Sequence, residues 1–132
     1  MLLVPDEGKI YLLDLLNGGG GLGAVTLSLY KNSVALSSST VFSDFDEADF
    51  SGYSSVTPAF GSASLSGGKA VITDAAARDF THDSGGTDND VYGYVVHEAG
   101  VCLWAEALAS PFTLENDGDQ ISVTAKLTLN TE

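Results

Sequence analysis

The chain has 132 residues, of which 44% are hydrophobic, and a formal net charge of −13 from 18 acids and 5 bases. This length suits one domain with its own core, and so acidic a surface argues against direct binding to nucleic acid or to anionic lipid. Cys102 is the sole cysteine, so the fold does not rely on an internal disulfide.

The first predicted element is a short helix over residues 6–16. Apolar residues recur there at spacings of three and four, and Asp6 and Glu7 suit the positive end of the helix dipole. The glycine-rich run at 18–23 cannot continue a helix. We therefore divide the chain into a helix with its tether, 1–23, and a β-domain, 24–132, and expect the helix to be an attachment element.

The N-terminal stretch has acids and lacks an early basic region, which is not typical of a signal peptide, and no window reaches the ~20 apolar residues of a membrane span.

The middle of the chain predicts short strands separated by polar turns. Residues 42–53 mix acids with aromatic residues and predict an irregular loop that its aromatics hold to the core. Pro58 implies a sheet edge or a bulge in the segment around it. The predicted strands are 24–31, 54–60, 62–65, 69–73 and 78–81.

The last third of the chain predicts a hairpin and a final strand. Residues 91–108 form two strand patterns around a turn near Gly100, and 116–119 form the next turn. Residues 121–130 alternate apolar and polar side chains, as a half-buried antiparallel strand does. The fold class that we predict is mainly β: an antiparallel β-sandwich or jelly-roll-like domain with one short N-terminal helix.

An acidic loop is predicted at residues 82–90, and it could in principle bind calcium. It carries oxygen ligands at short spacing, but it does not match the EF-hand pattern and has no closing Glu. A solvated turn, whose side chains bond their own backbone, explains the composition better. The candidate ligands are Asp83, Asp88, Asn89 and Asp90.

A second acidic cluster accompanies the aromatics of the 42–53 loop. Paired carboxylates can hydrolyse glycosidic bonds if their geometry is right, yet no Arg or His stands near these in the sequence. A charged outer face is the better interpretation. The cluster consists of Asp44, Asp46, Glu47 and Asp49.

The remaining reactive side chains are isolated in the sequence. His82 and His97 have no His or Cys neighbour at zinc-ligand spacing, and Cys102 lies in a predicted strand as a small buried hydrophobe. A Ser-His-Asp triad is recognised by geometry, so the sequence leaves it open. We predict no catalytic, cofactor-binding or metal-binding residues, no cofactor and no enzyme activity.

Aromatic residues fall on both strands of the predicted hairpin. Tyr92 and Tyr94 lie on the first strand, and Trp104 lies opposite on the second. An aromatic strip on a sheet can bind sugar, but cross-strand packing into the core is the commoner use. We therefore expect Trp104 to be buried and structural.

Three segments in order resemble a family of small virion-associated proteins of tailed bacteriophages, including cyanophage-like ones. They are DEADFSGY at 46–53, VYGY at 91–94 with LWAE at 103–106, and NDGD from 116 onward. The family patterns would be TEA.FsGY, iYGYyvtd..GtLLWAE and NGDti.vtPkltl. This chain departs from them at Asp46, at an inserted Asp117 and at Ala125.

The resemblance implies a phage structural protein and supplies no site residues. From it and the composition we expect a capsid decoration, or cement, protein in the virion, which binds the major capsid protein or further copies of itself as a homo-oligomer. One alternative is a tail or head-fibre component that recognises host carbohydrate. Others are a calcium-dependent carbohydrate-binding module and, last, a hydrolase.

Overall fold

The computed structural model describes residues 2–16 and 24–130 of the chain. Within them lie one α-helix, nine strands and a short 3-10 turn at Phe42–Asp44. The helix is α1 (Asp6–Leu16). The strands are β1 (Leu2–Leu3), β2 (Thr26–Tyr30), β3 (Ser64–Ser66), β4 (Lys69–Thr73), β5 (Arg78–Thr81), β6 (Asn89–Glu98), β7 (Val101–Leu114), β8 (Gln120–Val123) and β9 (Lys126–Asn130).

The strands form three antiparallel sheets that share one core. The largest has the order β1-β7-β6-β2, and the smaller two are β3-β4-β9 and β5-β8. Side chains from the large sheet, such as Leu29 and Trp104, belong to the same buried cluster as Phe80, Ile121 and Leu127 of the smaller sheets. This arrangement confirms the predicted class, a mainly β, sandwich-like antiparallel fold with one short helix near the N-terminus.

The second face of the large sheet is also covered. Tyr30, Val95, Cys102 and Ala105 form a separate buried cluster there with Phe45. Partly buried side chains from the segment after β2, and from the 3-10 turn, pack against this cluster. Because both faces are buried, β6 and β7 contain apolar runs as well as alternating stretches.

Several predicted elements have the expected bounds. The helix, β4 and β5 match, and the β6–β7 turn consists of Ala99 and Gly100, both at positive φ (49° and 80°) as a two-residue hairpin turn requires. The prediction ended this hairpin at 108, but β7 continues to Leu114. Register shifts beside Val91 provide the irregularity that lets Pro111 lie inside a strand.

Two strand predictions were wrong in detail. The alternating segment 121–130 is not one strand, because the backbone leaves the ladder at Thr124 and Ala125: β8 pairs with β5, whereas β9 pairs with β4. Segment 54–60 is not a strand and makes only isolated bridges at Val56 and Phe60. Pro58 between them cannot donate to a ladder, which explains why pairing does not spread.

Candidate interaction surfaces

Helix α1 is held on β7 by a carboxylate. Oε1 of Glu7 accepts hydrogen bonds from the backbone N–H of Cys102, at 2.7 Å, and from that of Phe42, at 3.0 Å. Cys102 is fully buried, so this contact satisfies a backbone donor at the second face of the large sheet. Glu7 thus connects the helix, β7 and the 3-10 turn.

The approach of the helix to β7 depends on Gly8. A Cβ atom at this position would lie 2.5 Å from the carbonyl oxygen of Leu103 and 2.6 Å from that of Cys102. Only glycine lets the helix lie so close. The predicted boundary between the helix with its tether and the β-domain, at residue 23, lies outside the described residues. The helix itself packs on the large sheet and is not a detached element.

The outer side of α1 leaves an apolar surface exposed beside the β6–β7 turn. Ile10 is 62% exposed and, together with Glu7, Tyr11 and Val101, lines a shallow hollow of about 220 Å³. The pKa of Tyr11 is raised because its hydroxyl is hydrogen-bonded to Glu98. We call the surface of Ile10, Tyr11 and Val101 the helix face.

The predicted aromatic strip is divided between the core and a cleft. Trp104 is only 4% exposed, and its ring centroid lies 5.4 Å from that of Phe60, so its predicted burial is confirmed. Tyr94 is buried beside it and donates to Glu106 Oε2 at 2.7 Å. These two rings therefore do not form an open sugar platform.

Tyr92 lines an open cleft, whereas Tyr94 borders a separate hollow of about 200 Å³ beside Glu106 and Ser122. The cleft, of about 230 Å³, lies where the register of β6 and β7 shifts, and Ser33, Val34 and Ser110 contribute to its walls. Tyr92 is half-buried, so one side of its ring packs on the second face while the rest borders the cleft. The cleft therefore combines one aromatic ring with nearby serine residues.

The acidic loop at 82–90 is exposed at residues 83–88, and a buried side chain anchors each end of that stretch. His82 is buried, and its Nε2 lies 3.2 Å from both the Thr87 carbonyl oxygen and Asp88 Oδ1. Asn89 is also buried and already belongs to β6, where it donates to Asp49 Oδ1. Within residues 2–16 and 24–130, no three His, Cys, Asp or Glu side chains are grouped so as to hold a metal ion.

The second acidic cluster is distributed among local partners. Asp44 accepts from the Val41 N–H, and Glu47 accepts from the Tyr53 hydroxyl. Lys31 Nζ lies 2.6 Å from Asp49 Oδ2, and this interaction lowers the pKa of Asp49. The contacts of these three acids stabilise the loop between β2 and β3.

A polar network that the sequence did not predict joins β2 and β6. Ser28 Oγ and His97 Nε2 are 3.0 Å apart, and the Phe42 ring stacks on the imidazole. Burial lowers the pKa of His97, but Ser28 is only 2% exposed. The pair resembles a nucleophile and its base, yet a substrate could not reach the hydroxyl without displacing the residues that cover this face of the sheet, such as Phe42.

Cys102 is as inaccessible as Ser28. It is fully buried, which confirms the predicted small buried hydrophobe, and burial raises the pKa of its thiol to about 12. A thiol at such a pKa is not a thiolate at neutral pH.

Comparison with family models, with curated proteins and with solved structures finds no match for this chain. No helix in the described part of the chain is both long and apolar enough to cross a bilayer. The class of the protein therefore rests on its own architecture: a mainly β, sandwich-like domain with a docked helix. The phage family remains a prediction from the three sequence segments.

Proposed function

We propose that this protein is a non-catalytic capsid decoration protein of a tailed-phage virion, which binds at joints between major capsid subunits and stiffens the shell. The observation that carries the proposal is the helix face. Ile10 is exposed on a helix whose position Glu7 and Gly8 fix against β7. Such a surface loses less conformational entropy on binding than a flexible segment would.

The charge of the chain supports a capsid partner of opposite sign. A net charge of −13 steers the protein toward a basic surface, and the apolar helix face then supplies short-range contact. A modest interface suffices, because a shell offers many equivalent sites and oligomeric copies bind with avidity.

Ile10→Gln should weaken binding to capsids that lack the protein by roughly tenfold or more, because loss of an anchor residue at the centre of an interface costs about 2 kcal/mol or more and about 1.4 kcal/mol is a factor of ten. Co-sedimentation with purified capsids measures the affinity. Lys9→Gln is the matched control, since it places the same side chain at the neighbouring exposed position. If both variants bind as tightly as the wild type, the helix face is not the attachment surface.

Capsids that carry the protein should withstand heating better than stripped capsids, and adding the protein back should restore the difference. The reason is that contacts across subunit joints stabilise only the assembled shell. Release of packaged DNA on heating, followed by a DNA-binding dye, measures this stability. Electron microscopy that places the protein only on tails or fibres would contradict the capsid assignment.

Recognition of host carbohydrate is the second candidate, and the cleft beside Tyr92 is the observation that favours it. If the protein has this function, Tyr92→Ala should abolish its binding to host surface glycans. Trp104 is buried and should not contact the glycan. A glycan array probed with wild type and Tyr92→Ala distinguishes this function from shell stabilisation. A calcium-dependent carbohydrate-binding module would need a cation site in addition to the cleft.

A further inference from the structure

The inner face of the β3-β4-β9 sheet extends beyond the core that it covers. Cross-strand pairs place Leu65, Ala70 and Leu129 side by side on this face, and Ile72 with Leu127 form the next row. Leu127 and Ile72 pack in the main core. The row of Leu65, Ala70 and Leu129 continues the same surface outward.

Exposure rises steeply along this face. Leu127 is 7% exposed, Leu129 is 49% exposed and Leu65 is 77% exposed. A shallow groove of about 110 Å³ lies beside it, and the residues that line the groove include Ala70, Ile72, Leu127 and Leu129. We call the row of Leu65, Ala70 and Leu129 the apolar overhang. Apolar side chains on a continuous open sheet face indicate a surface that associates.

The three strands of the sheet that carries the overhang contain no acidic residue. All 18 acids lie outside segments 50–73 and 120–131, which contain β3, β4 and β9, while Lys69 and Lys126 lie inside them. The two segments therefore carry +2, and the rest of the chain, with three bases, carries −15. A basic partner that the acidic charge attracts is therefore drawn to other parts of the molecule and not to this sheet.

We propose that the apolar overhang is the interface between two copies of this chain, packed face to face about a two-fold axis. Two molecules of charge −13 repel each other, and a sheet whose strands carry no acid is a place where they can meet with little local repulsion. A two-fold interface must be complementary to itself. A neutral apolar row meets that condition, since Leu65 and Leu129 of one copy can pack against the same row of the other.

The salt dependence of self-association tests the charge argument on the full-length protein. Screening weakens the repulsion between like-charged molecules, so the dimer dissociation constant should fall as NaCl rises from about 20 mM to about 500 mM. Sedimentation equilibrium should show a species of twice the 13.6 kDa chain mass. A dissociation constant that rises with salt would overturn the proposal, as would a monomer at every concentration up to about 1 mM, which marks an affinity of only about −4 kcal/mol.

Leu65→Asp, with Ser64→Asp as its matched control, locates the interface. Both place one carboxylate at an exposed position of β3, but on opposite faces of the strand. Leu65→Asp should raise the dissociation constant on the order of a hundredfold, because the symmetry brings two unpaired charges into one interface. Ser64→Asp should raise it far less. Circular dichroism melting checks that both variants are folded.

The remaining outcomes decide between the dimer and other roles of the overhang. Equal effects of the two variants would place self-association elsewhere and overturn the proposal. So would a monomeric wild type whose Leu65→Asp variant melts at lower temperature, because the overhang would then be covered by this chain's own residues. Loss of capsid binding in Leu65→Asp without any change in self-association would assign the overhang to the capsid. Loss of self-association with capsid binding retained supports the dimer and leaves the decoration proposal intact.

Discussion

Trp104→Ala should lower the free energy of unfolding by about 3–5 kcal/mol, as removal of a large buried aromatic side chain typically does. The ring is 4% exposed, packs against Phe60 and lies between the large sheet and the smaller ones. Since domains of this size are stable by only about 5–15 kcal/mol, the variant should lose a large fraction of its stability. Urea unfolding followed by circular dichroism measures the change.

Trp104→Phe is the matched control, because it keeps an aromatic ring in the same space and should lose much less stability. As Trp104 is the sole tryptophan, wild-type fluorescence reports on this site alone. The emission should be blue-shifted and poorly quenched by iodide. Red-shifted emission that host oligosaccharides quench would show that the ring is accessible and acts as a sugar platform.

Glu7→Ala should lower the free energy of unfolding by about 3 kcal/mol, given roughly 1.5–3 kcal/mol for a hydrogen bond to a charged group. The substitution removes the acceptor for the Cys102 and Phe42 N–H groups, and the first of these belongs to a fully buried residue. Thermal and urea unfolding measure the loss. Hydrogen exchange of the Cys102 amide should accelerate as well.

Asp6→Ala is the control for Glu7→Ala, because Asp6 makes an exposed ion pair with Lys9 that is worth well under about 1 kcal/mol. Deletion of residues 1–17, which a detached helix would tolerate, should destabilise the whole domain. It removes Glu7 and uncovers the edge of β7 at Ala105 and Glu106, where β1 pairs. If the truncated protein melts at the same temperature as the wild type, the helix is a detached element that does not support the β-domain.

Local pattern predicted the fold well where a whole segment belongs to a single helix or a single sheet. The bounds of α1, β4 and β5 follow from periodicity and turn residues, and the loop at 42–53 does contain buried Phe45 and Phe50. The break at Thr124 escaped prediction for a physical reason. Side chains keep alternating between core and solvent across it, so a period of two persists while the backbone changes partner.

The interaction surfaces were less predictable, since they depend on register and on tertiary packing. Alternation places Leu129 on the same face as Leu127, and the sequence offers no sign that only the latter is covered. The contact of Ser28 with His97 requires the pairing of β2 with β6, which spans about seventy residues. The sequence predicts Glu7 only as a first-turn acid that suits the helix dipole. In the structure, its carboxylate accepts a hydrogen bond from the backbone N–H of Cys102 in β7.

The partner change at Thr124 and Ala125 has a consequence for how the chain folds during synthesis. β5 and the β3–β4 hairpin each need a strand from residues 120–130, which leave the ribosome about forty to sixty residues after them. Until then both inner faces are open to water and to other nascent chains. Closing two sheets through one late segment implies slow, non-local folding, so a chaperone that shields β3 to β5 during translation should raise the yield of folded protein.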